Sequence, residues 1–341
     1  MGDEMKARHG IVVGFLLLSF GISFGQLQKL AQTGMKFLSV STDPKISAMG
    51  DAASALEGRS ESMFFNPAGM ARLDRDVDIA LGGIRWIADI NYGYAGVAFK
   101  PANGKYGVFG LSAVNVMYGD FNATIRSSSE SGYENVGTFS PSAGYIGLGY
   151  ANALTDKFAI GGNVKYVYQS LGSVITSVLS DKQYGRTDYA RDVLAFDFGI
   201  LYRTGFKSLT FGMHVRNFSQ EIKYLEEGFQ LPLTFKVGLA MNLLDLYEVE
   251  AAQHRLLLSV DAVHPRDYPE QINVGAEYLF ANLFALRAGY STPNDEHGFN
   301  AGVGLLKDFK SYQIGWDYAY TPFGLFGDVH RFSFHFALDI L

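Results

Sequence analysis

Long stretches of the chain alternate apolar and polar residues with a period of two, and this pattern restricts the fold more than any other feature. Four stretches show it clearly: residues 158–171, 231–243, 312–320 and 332–340. Strict alternation predicts β-strands with one apolar and one polar face. The repeats run for about nine to thirteen residues, the length of a strand that crosses a bilayer at the usual tilt, whereas strands of soluble sandwiches average about five or six. The pattern therefore favours a membrane-spanning sheet.

Composition agrees with an apolar outer surface. Charged residues make up 18% of the 341 positions, against roughly a quarter in ordinary soluble domains. The chain has no cysteine, which suits export through an oxidising compartment, and its net charge of −6 argues against nucleic acid as a partner. Phosphate-loop, dinucleotide and zinc-protease motifs are absent from the sequence, so we predict a non-enzyme without cofactor or metal. A barrel enzyme with catalytic residues near its rim stays open.

A sheet in lipid must close, because only helices and closed sheets satisfy every backbone hydrogen bond there. We predict an all-β fold over residues 77–341, an antiparallel transmembrane barrel of about fourteen strands, with both termini on the periplasmic side of a bacterial outer membrane. Candidate strands lie near residues 77–87, 92–100, 105–118, 142–153, 157–171, 191–204, 208–218, 231–244, 254–263, 270–280, 283–291, 297–306, 309–320 and 328–340. Loop lengths support the count, because the two longest gaps, 119–141 and 172–190, then face outward. One periplasmic connection, residues 245–253, is long enough for a short helix.

Residues 1–25 have the features of a signal peptide. Lys6 and Arg8 precede an apolar run over residues 11–20, and Ser23-Phe24-Gly25 fits a cleavage site. A membrane anchor is the alternative, but the run is shorter than the roughly 20 residues of a spanning helix.

The polar face of the strands carries charges of both signs. It collects Lys165, Asp197, His214, Arg216, Lys236, Asp261, Glu277, Arg287, Asp317, Arg331, His335 and Asp339. Mixed signs favour a network that locks the wall or seats a plug, whereas a selective pore usually has one dominant sign. His214 and His335 lack ligand-spaced partners in sequence, so we interpret both as wall histidines rather than metal ligands.

Residues 26–76 differ from the rest of the chain. Asp43-Pro44 and Asn66-Pro67 each place a helix cap before a proline, and helical spacing follows through Leu56 and through Leu73. About fourteen strands enclose a lumen wider than side chains fill. We therefore expect a short helical plug, or hatch, inside the barrel; an arm packed on the periplasmic mouth is the alternative. Its predicted ligand or hatch residues are Phe64, Phe65, Asn66, Pro67, Ala68 and Gly69.

The same segment resembles a known family. Lys36-Phe-Leu38, Ile46-Ser-Ala-Met-Gly-Asp-Ala-Ala-Ser-Ala-Leu56 and Phe65-Asn-Pro-Ala-Gly-Met-Ala71 are similar to the N-terminal signature of the PorV/PorQ outer-membrane proteins. That family is related to the FadL fatty-acid transporters, which share the Asn-Pro-Ala element. The resemblance implies a fourteen-stranded barrel with an internal hatch.

The resemblance also implies function. PorV-like members serve type IX secretion and receive secreted cargo proteins, whereas FadL-like members pass hydrophobic small molecules to a lateral gap beside a kinked third strand. We rank the secretion-associated role first, the hydrophobic transporter as its alternative, and a structural porin third. Outer-membrane lipids are partners in each case. Because the third strand contains Gly107 and Gly110, we also predict that it is bent.

Overall fold

Fourteen strands form one closed antiparallel barrel in the computed structural model, which describes residues 33–180, 183–247, 253–294 and 298–340. The barrel strands are β1 (Val77–Arg85), β2 (Asn91–Phe99), β3 (Val108–Met117), β6 (Ser142–Ala153), β7 (Phe158–Ser180), β8 (Gln183–Arg203), β9 (Thr210–Ser219), β12 (Thr234–Asn242), β13 (His254–Pro265), β14 (Gln271–Phe280), β15 (Phe284–Thr292), β16 (Phe299–Asp308), β17 (Tyr312–Pro322) and β18 (Asp328–Leu338). Pairing of β1 with β18 closes the sheet. All fourteen predicted strands are confirmed. The predicted signal peptide lies outside the described residues.

Two long connections contain additional strands. β4 (Phe121–Arg126) pairs with β5 (Tyr133–Phe139), and the short β10 (Ile222–Lys223) pairs with β11 (Gly228–Phe229). β7 and β8 extend far into the region predicted as a loop. Their ladder continues beyond Ser170 through irregular register, because residues such as Val174 and Thr187 favour extended backbone.

The predicted bend in the third strand is wrong. β3 pairs with β2 from Phe109 to Met117 and with β6 over its whole length, both without a register shift. Gly107 lies in the preceding turn at φ +75. Gly110 faces inward, where a Cβ would lie 2.9 Å from Met70 Sδ, so this glycine makes room for packing rather than for a kink.

The irregular part of the wall lies between β8 and β9 instead. Here Arg216 and Asn217 of β9 oppose the single residue Asp197 of β8, and Asn217 adopts φ +61. This is a β-bulge, which adds one unpaired residue and bends the strand locally. Lys165 Nζ lies 2.7 Å from Asp197 Oδ1 and donates to Asn217 Oδ1 at 2.6 Å, so the bulge is filled by a buried polar group.

The outward-facing side chains are apolar and exposed, as in Leu148 (67% exposed) and Phe334 (58% exposed), whereas their inward neighbours are buried. This surface is what a hydrocarbon environment requires of a barrel. Among the described residues, no helix is long and apolar enough to cross a membrane.

Residues 33–76, here named the N-terminal segment, run from one rim of the barrel to the other. Thr33 bridges Gln230 at the rim with the long connections, named the outer rim. The segment then passes through 3-10 helix Lys36–Ser39, α1 (Pro44–Ala48), and 3-10 helices Ser60–Phe64 and Pro67–Arg72. It enters β1 at the opposite end, named the inner rim, where β18 also ends.

Two local predictions for this segment have different outcomes. Asp43 caps α1 by accepting from Ile46 N–H at 3.2 Å, as predicted. The predicted continuation of the helix through Leu56 is wrong, because α1 ends at Ala48. The next residues turn the chain, since Gly50 and Asp51 both adopt positive φ. A Cβ on Gly50 would lie 2.8 Å from the backbone nitrogen of Tyr290, so contact with β15 requires this turn.

The short helix predicted within residues 245–253 begins two residues earlier than expected. The 3-10 helix Leu243–Leu246 starts after Asn242, whose side chain accepts from Leu244 N–H. The remainder of that connection, residues 248–252, lies outside the described residues.

The path of the N-terminal segment predicts which side of the membrane each of its ends faces. Because the chain lacks cysteine, Ser39→Cys near the outer rim and Asp74→Cys at the inner rim each introduce a single thiol at an exposed position. We expect a membrane-impermeant maleimide to label Ser39→Cys on intact cells and Asp74→Cys only after the outer membrane is opened. Labelling of Asp74→Cys alone on intact cells would reverse the orientation.

Candidate functional site

The inner wall makes room for the N-terminal segment by omitting side chains. At ten strands an inward glycine is placed so that an added Cβ would lie within 3.2 Å of an atom of the segment. These residues, named the glycine ring, are Gly96, Gly110, Gly149, Gly161, Gly199, Gly212, Gly238, Gly275, Gly289 and Gly302. They contact residues 48–70. The segment therefore crosses the interior of the barrel against strands on all sides.

The side chain of Asn66 makes three hydrogen bonds where the segment meets the wall. Its Oδ1 accepts from Ala68 N–H at 3.1 Å, which caps the helical turn Pro67–Arg72 and confirms the predicted cap. Its Nδ2 donates to Ser54 O at 2.7 Å and to Ile200 O of β8 at 3.1 Å. One side chain thus joins two parts of the segment to the wall.

Two glycines seat the Asn-Pro-Ala turn. A Cβ on Gly199 would overlap Asn66 Oδ1, and a Cβ on Gly161 would overlap the backbone of Pro67 and Ala68. Gly69 is itself constrained, because its Cβ would lie 2.8 Å from Leu56 O. The four residues from Asn66 to Gly69 are all buried.

The two phenylalanines before Asn66 pack on the inner wall. The Phe64 ring meets Tyr94 of β2 edge-on at 5.3 Å between centroids. Phe65 lies under the Arg216 guanidinium at 6.0 Å and also lines a cavity at the outer rim. Phe65 is thus the predicted hatch residue that reaches an open space.

Eleven of the twelve residues predicted on the polar face lie on the inner face, in separate groups, and Asp339 is the exception. Lys165 fills the β8–β9 bulge. Glu277, Arg287 and Asp317 form one chain of ion pairs, with Arg287 Nε 2.7 Å from Glu277 and Arg287 Nη1 2.6 Å from Asp317. His335 Nε2 lies 2.7 Å from Asp78.

Four further members of that network, one carboxylate and three cations, hold the N-terminal segment directly. Asp261 accepts from Ala53 N–H and Ser54 N–H, each at 3.0 Å. Three cations donate to backbone carbonyls of the segment: Lys236 to Asp51 O at 3.0 Å, Arg331 to Ser41 O at 3.0 Å and Arg216 to Leu38 O at 3.4 Å. His214 is buried, and neither ring nitrogen has a hydrogen-bond partner among the described residues.

The sequence analysis missed the charges that the segment itself contributes. Lys45 Nζ lies 3.5 Å from Glu277, and Arg59 lies 3.5 Å from Asp317. The α1 cap, Asp43, is buried as well. A sequence signal for these contacts was present: Lys45 and Arg59 are charged residues in a segment expected to lie inside the barrel. Charges buried there require partners of opposite sign on the strands.

Asp339, predicted on the luminal face, lies instead at the inner rim. It forms an ion pair with Arg75 at the end of the N-terminal segment. The other terminal nitrogen of the Arg75 guanidinium lies 2.7 Å from Asp308. Asp339 follows the end of β18, so it is past the last inward position of the wall.

One cluster has the composition of a metal site. Ligand atoms of Glu61, Asp78 and His335, all buried, lie within 4.8 Å of one another. However, His335 is hydrogen-bonded directly to Asp78, and Arg59 lies 3.9 Å from Glu61 and already supplies positive charge. We therefore interpret the cluster as an extension of the polar contacts, in which Glu61 Oε1 and His335 Nδ1 have no hydrogen-bond partner among the described residues.

A cavity of about 570 Å³ opens at the outer rim and is named the outer cavity. Its apolar lining includes Phe37, Leu38, Val40 and Phe65 of the segment, residues from the β1–β2 connection and its flanks, and Val263 and Pro265 of β13; the residues at the β1–β2 connection are Trp86, Ile87, Ile90 and Tyr92. Its polar lining includes Arg216, Lys236 and Arg331. Below it the glycine ring and the segment fill the barrel.

The glycine ring predicts a strong difference between two neighbouring residues. Gly161→Ala would drive a Cβ into backbone atoms of the Asn-Pro-Ala turn, whereas the outward Gly162→Ala meets only ordinary contacts, the nearest at 3.6 Å. We expect Gly161→Ala to lower the free energy of unfolding by about 1–3 kcal/mol, the usual cost of overpacking. Denaturant unfolding in lipid vesicles measures both variants; equal stability would contradict the close contact.

Asn66→Ala tests the polar side of the same seat. Loss of the cap costs about 1 kcal/mol and loss of each of two further hydrogen bonds about as much, so we expect roughly 2–3 kcal/mol in total. Asn66→Asp keeps the acceptor for Ala68 N–H but turns a carboxylate oxygen toward Ser54 O and Ile200 O, so we expect it to be destabilised although the cap is retained. If both variants unfold like the wild type, the Asn66 side chain does not hold the segment.

Comparison with known proteins gives structural matches alone: no protein-family model and no curated protein matches the chain. The toluene transporter TbuX of Ralstonia pickettii superposes with a TM-score of 0.56 at 12% identity, over 87% of this chain and 97% of that one. The Pseudomonas putida toluene transporter TodX gives 0.57 at 11%, over 87% and 97%. A Pseudomonas aeruginosa FadL homologue gives 0.55 at 11%, over 88% and 99%.

At such low identity these matches show the fold. The PorV/PorQ part of the resemblance stays a prediction. The closed fourteen-stranded sheet and its apolar outer surface are those of an outer-membrane barrel. The protein is therefore a barrel of the bacterial outer membrane with the fold of the FadL-type transporters.

Proposed function

We propose that the protein is a transporter that admits hydrophobic small molecules across the outer membrane. The observation that carries this proposal is the outer cavity, about 570 Å³ in volume, whose walls combine aromatic and aliphatic side chains with many polar ones. Ligand sites are typically cavities of this size, in which apolar side chains supply contact area and polar groups fix the orientation of the ligand. The structural neighbours named as toluene transporters support the same class of ligand.

The N-terminal segment acts as the hatch of this transporter. It lies against ten strands of the wall and is held by Asp261, Lys236 and Arg331. A molecule in the outer cavity meets the segment before it can approach the inner rim. Passage therefore requires part of the segment to leave its position, and the hatch prevents free leakage until then.

The route below the cavity follows from the regular third strand. Without a bend in β3, the wall offers no break there for lateral release into the membrane. We infer that the ligand moves along the inside of the barrel, between the displaced segment and the wall.

The secretion-associated role has less support. Its motif, Asn66-Pro67-Ala68, is explained by close packing on Gly161 and Gly199. A hatch of either branch needs that packing, so the motif does not distinguish cargo proteins from small molecules. The structural neighbours reported above are transporters of small molecules or related barrels, which favours the alternative that the sequence ranked second.

Intrinsic fluorescence tests the cavity directly, because the chain has two tryptophans and Trp86 lines the cavity. Trp316→Phe leaves Trp86 as the only emitter, and Trp86→Phe leaves Trp316, which lies on the outward face of β17 between the inward Gly315 and Asp317. We expect toluene or dodecanoate to change Trp86 emission with saturation at micromolar to millimolar concentration, on the order of many small-ligand sites. Trp316 emission should change without saturation, by partition into the surrounding detergent.

The two fluorescence variants test binding, and an uptake measurement tests transport separately. Identical, unsaturable responses of the two variants would contradict a site in the outer cavity. Saturable binding to the Trp316→Phe protein, combined with no uptake of the radiolabelled probe by cells that express it, would contradict transport.

A further inference from the structure

The turns of the inner rim repeat one pairing of residue types. Three of the turns place an exposed lysine directly beside an aromatic residue: Lys105-Tyr106, Phe206-Lys207 and Phe309-Lys310. In a fourth turn, Lys157 follows Leu154 by three positions, and both are exposed. The apolar partners are well exposed, with Tyr106 and Phe206 each at 58%.

These four turns are neighbours around the barrel. They connect β2 to β3, β6 to β7, β8 to β9 and β16 to β17, and the strand order places them in succession with only the β1–β18 seam between the last and the first. Lys157 Nζ approaches within 3.0 Å of the position of a Cβ on Gly205 in the adjacent turn. We name Lys105, Lys157, Lys207 and Lys310 the lysine arc.

The opposite part of the rim is different. The turn at residues 281–283 carries no charge, and the described part of the β12–β13 connection carries Asp245. The exposed lysines of the described inner-rim turns therefore all lie on one side of the rim, where the turns also carry Asp156 and Asp308.

The lysines of the arc also differ from the arginines of the same rim. Arg72 is paired with Glu57, and Arg75 with Asp308 and Asp339. No lysine of the arc forms an ion pair with a carboxylate in the part of the chain that the structure describes. Their ammonium groups are free to bind an external anion.

We propose that the lysine arc binds the headgroups of anionic glycerophospholipids in the membrane leaflet at the inner rim. Aromatic rings beside the lysines settle at the level of the headgroups, where apolar and polar surroundings meet. A lysine extends its alkyl chain along apolar surface and places its ammonium at the interface, within reach of a lipid phosphate. Because each turn holds both elements, the position and the charge are supplied together, and the partner is a lipid rather than a soluble anion.

The arrangement has a structural consequence. Anionic lipids bound on one arc fix the depth of the barrel on that side, which includes the β6–β7 turn, where Arg72 of the segment donates to Asp156 O at 3.0 Å. The proposal is independent of transport, so either can fail alone.

The test compares dioleoylphosphatidylglycerol with dioleoylphosphatidylcholine on the full-length protein. Native mass spectrometry after incubation with an equal mixture measures the ratio of the two lipids retained. We expect enrichment of phosphatidylglycerol on the wild type, and in K105Q/K157Q/K207Q/K310Q a fall of that ratio by about fivefold or more, since one lysine near an anionic surface contributes on that order at low salt. Added salt should reduce the wild-type enrichment through screening.

R85Q/R126Q/R186Q/K223Q is the matched control, because it removes four exposed cations near the outer rim. Its ratio should remain at the wild-type value. Equal enrichment in the arc variant and the wild type overturns the proposal, and so does an equal loss in the arc and control variants, which would reflect net charge alone. The thermal unfolding midpoint of each variant in neutral detergent confirms that the barrels compared are folded.

Discussion

Contact between the backbone of the N-terminal segment and the inward glycines is the interaction on which the rest of the structure depends. A barrel of fourteen strands encloses more space than its own side chains fill. The wall meets this requirement by bringing a second piece of chain so close that a single Cβ would overlap it, as at Gly161 and Gly199. Close packing of this kind tolerates little change in volume. The position of the segment then determines where open space remains, which is above it, at the outer rim.

Polar contacts fix the position of the N-terminal segment inside the barrel. A buried charge is costly unless it is paired and hydrogen-bonded. The segment brings Lys45 and Arg59 to Glu277 and Asp317 of the wall, and the wall brings Asp261 to two backbone N–H groups of the segment. Because each partner is left unpaired in any shifted position, the contacts select one placement of the segment. The mixed signs of the inner face are thereby explained without a charged pore.

The strands and the caps could be predicted from the sequence because both depend on local order. Alternation with a period of two identifies a strand wherever one face meets lipid, and Asp43-Pro44 or Asn66-Pro67 identifies a cap. What could not be predicted depends on partners distant in sequence. A glycine inside a strand, such as Gly110, often marks a kink. In this barrel it instead makes room for Met63 and Met70 of the N-terminal segment.

Dependence on distant partners also explains why α1 ends earlier than predicted and why some buried charged residues were not recognised from the sequence. The spacing from Ile46 to Leu56 is helical, yet Gly50 must turn against β15, a contact no local pattern contains. Lys45, Arg59 and Asp78 became interpretable only beside their partners. For the candidate site, the sequence could identify the residues from Phe64 to Gly69 as unusual. The outer cavity required the fold, because its lining residues are as distant in sequence as Phe37 and Arg331.

The distribution of contacts along the segment indicates which part can yield to a ligand. Residues 48–70 lie against the glycine ring, so moving them would open voids at many strands together. Residues 35–41 contact no member of that ring; their ties are Arg331 to Ser41 O, a long bond from Arg216 to Leu38 O, and the partly exposed pair of Lys36 with Asp267. An ion pair with an exposed partner contributes little to stability, so this stretch is held mainly by the apolar packing of Met35, Phe37 and Leu38, which are buried. Phe37, Leu38 and Val40 also line the outer cavity. The part of the segment that a hydrophobic ligand touches first is therefore held by apolar contacts, which such a ligand can replace.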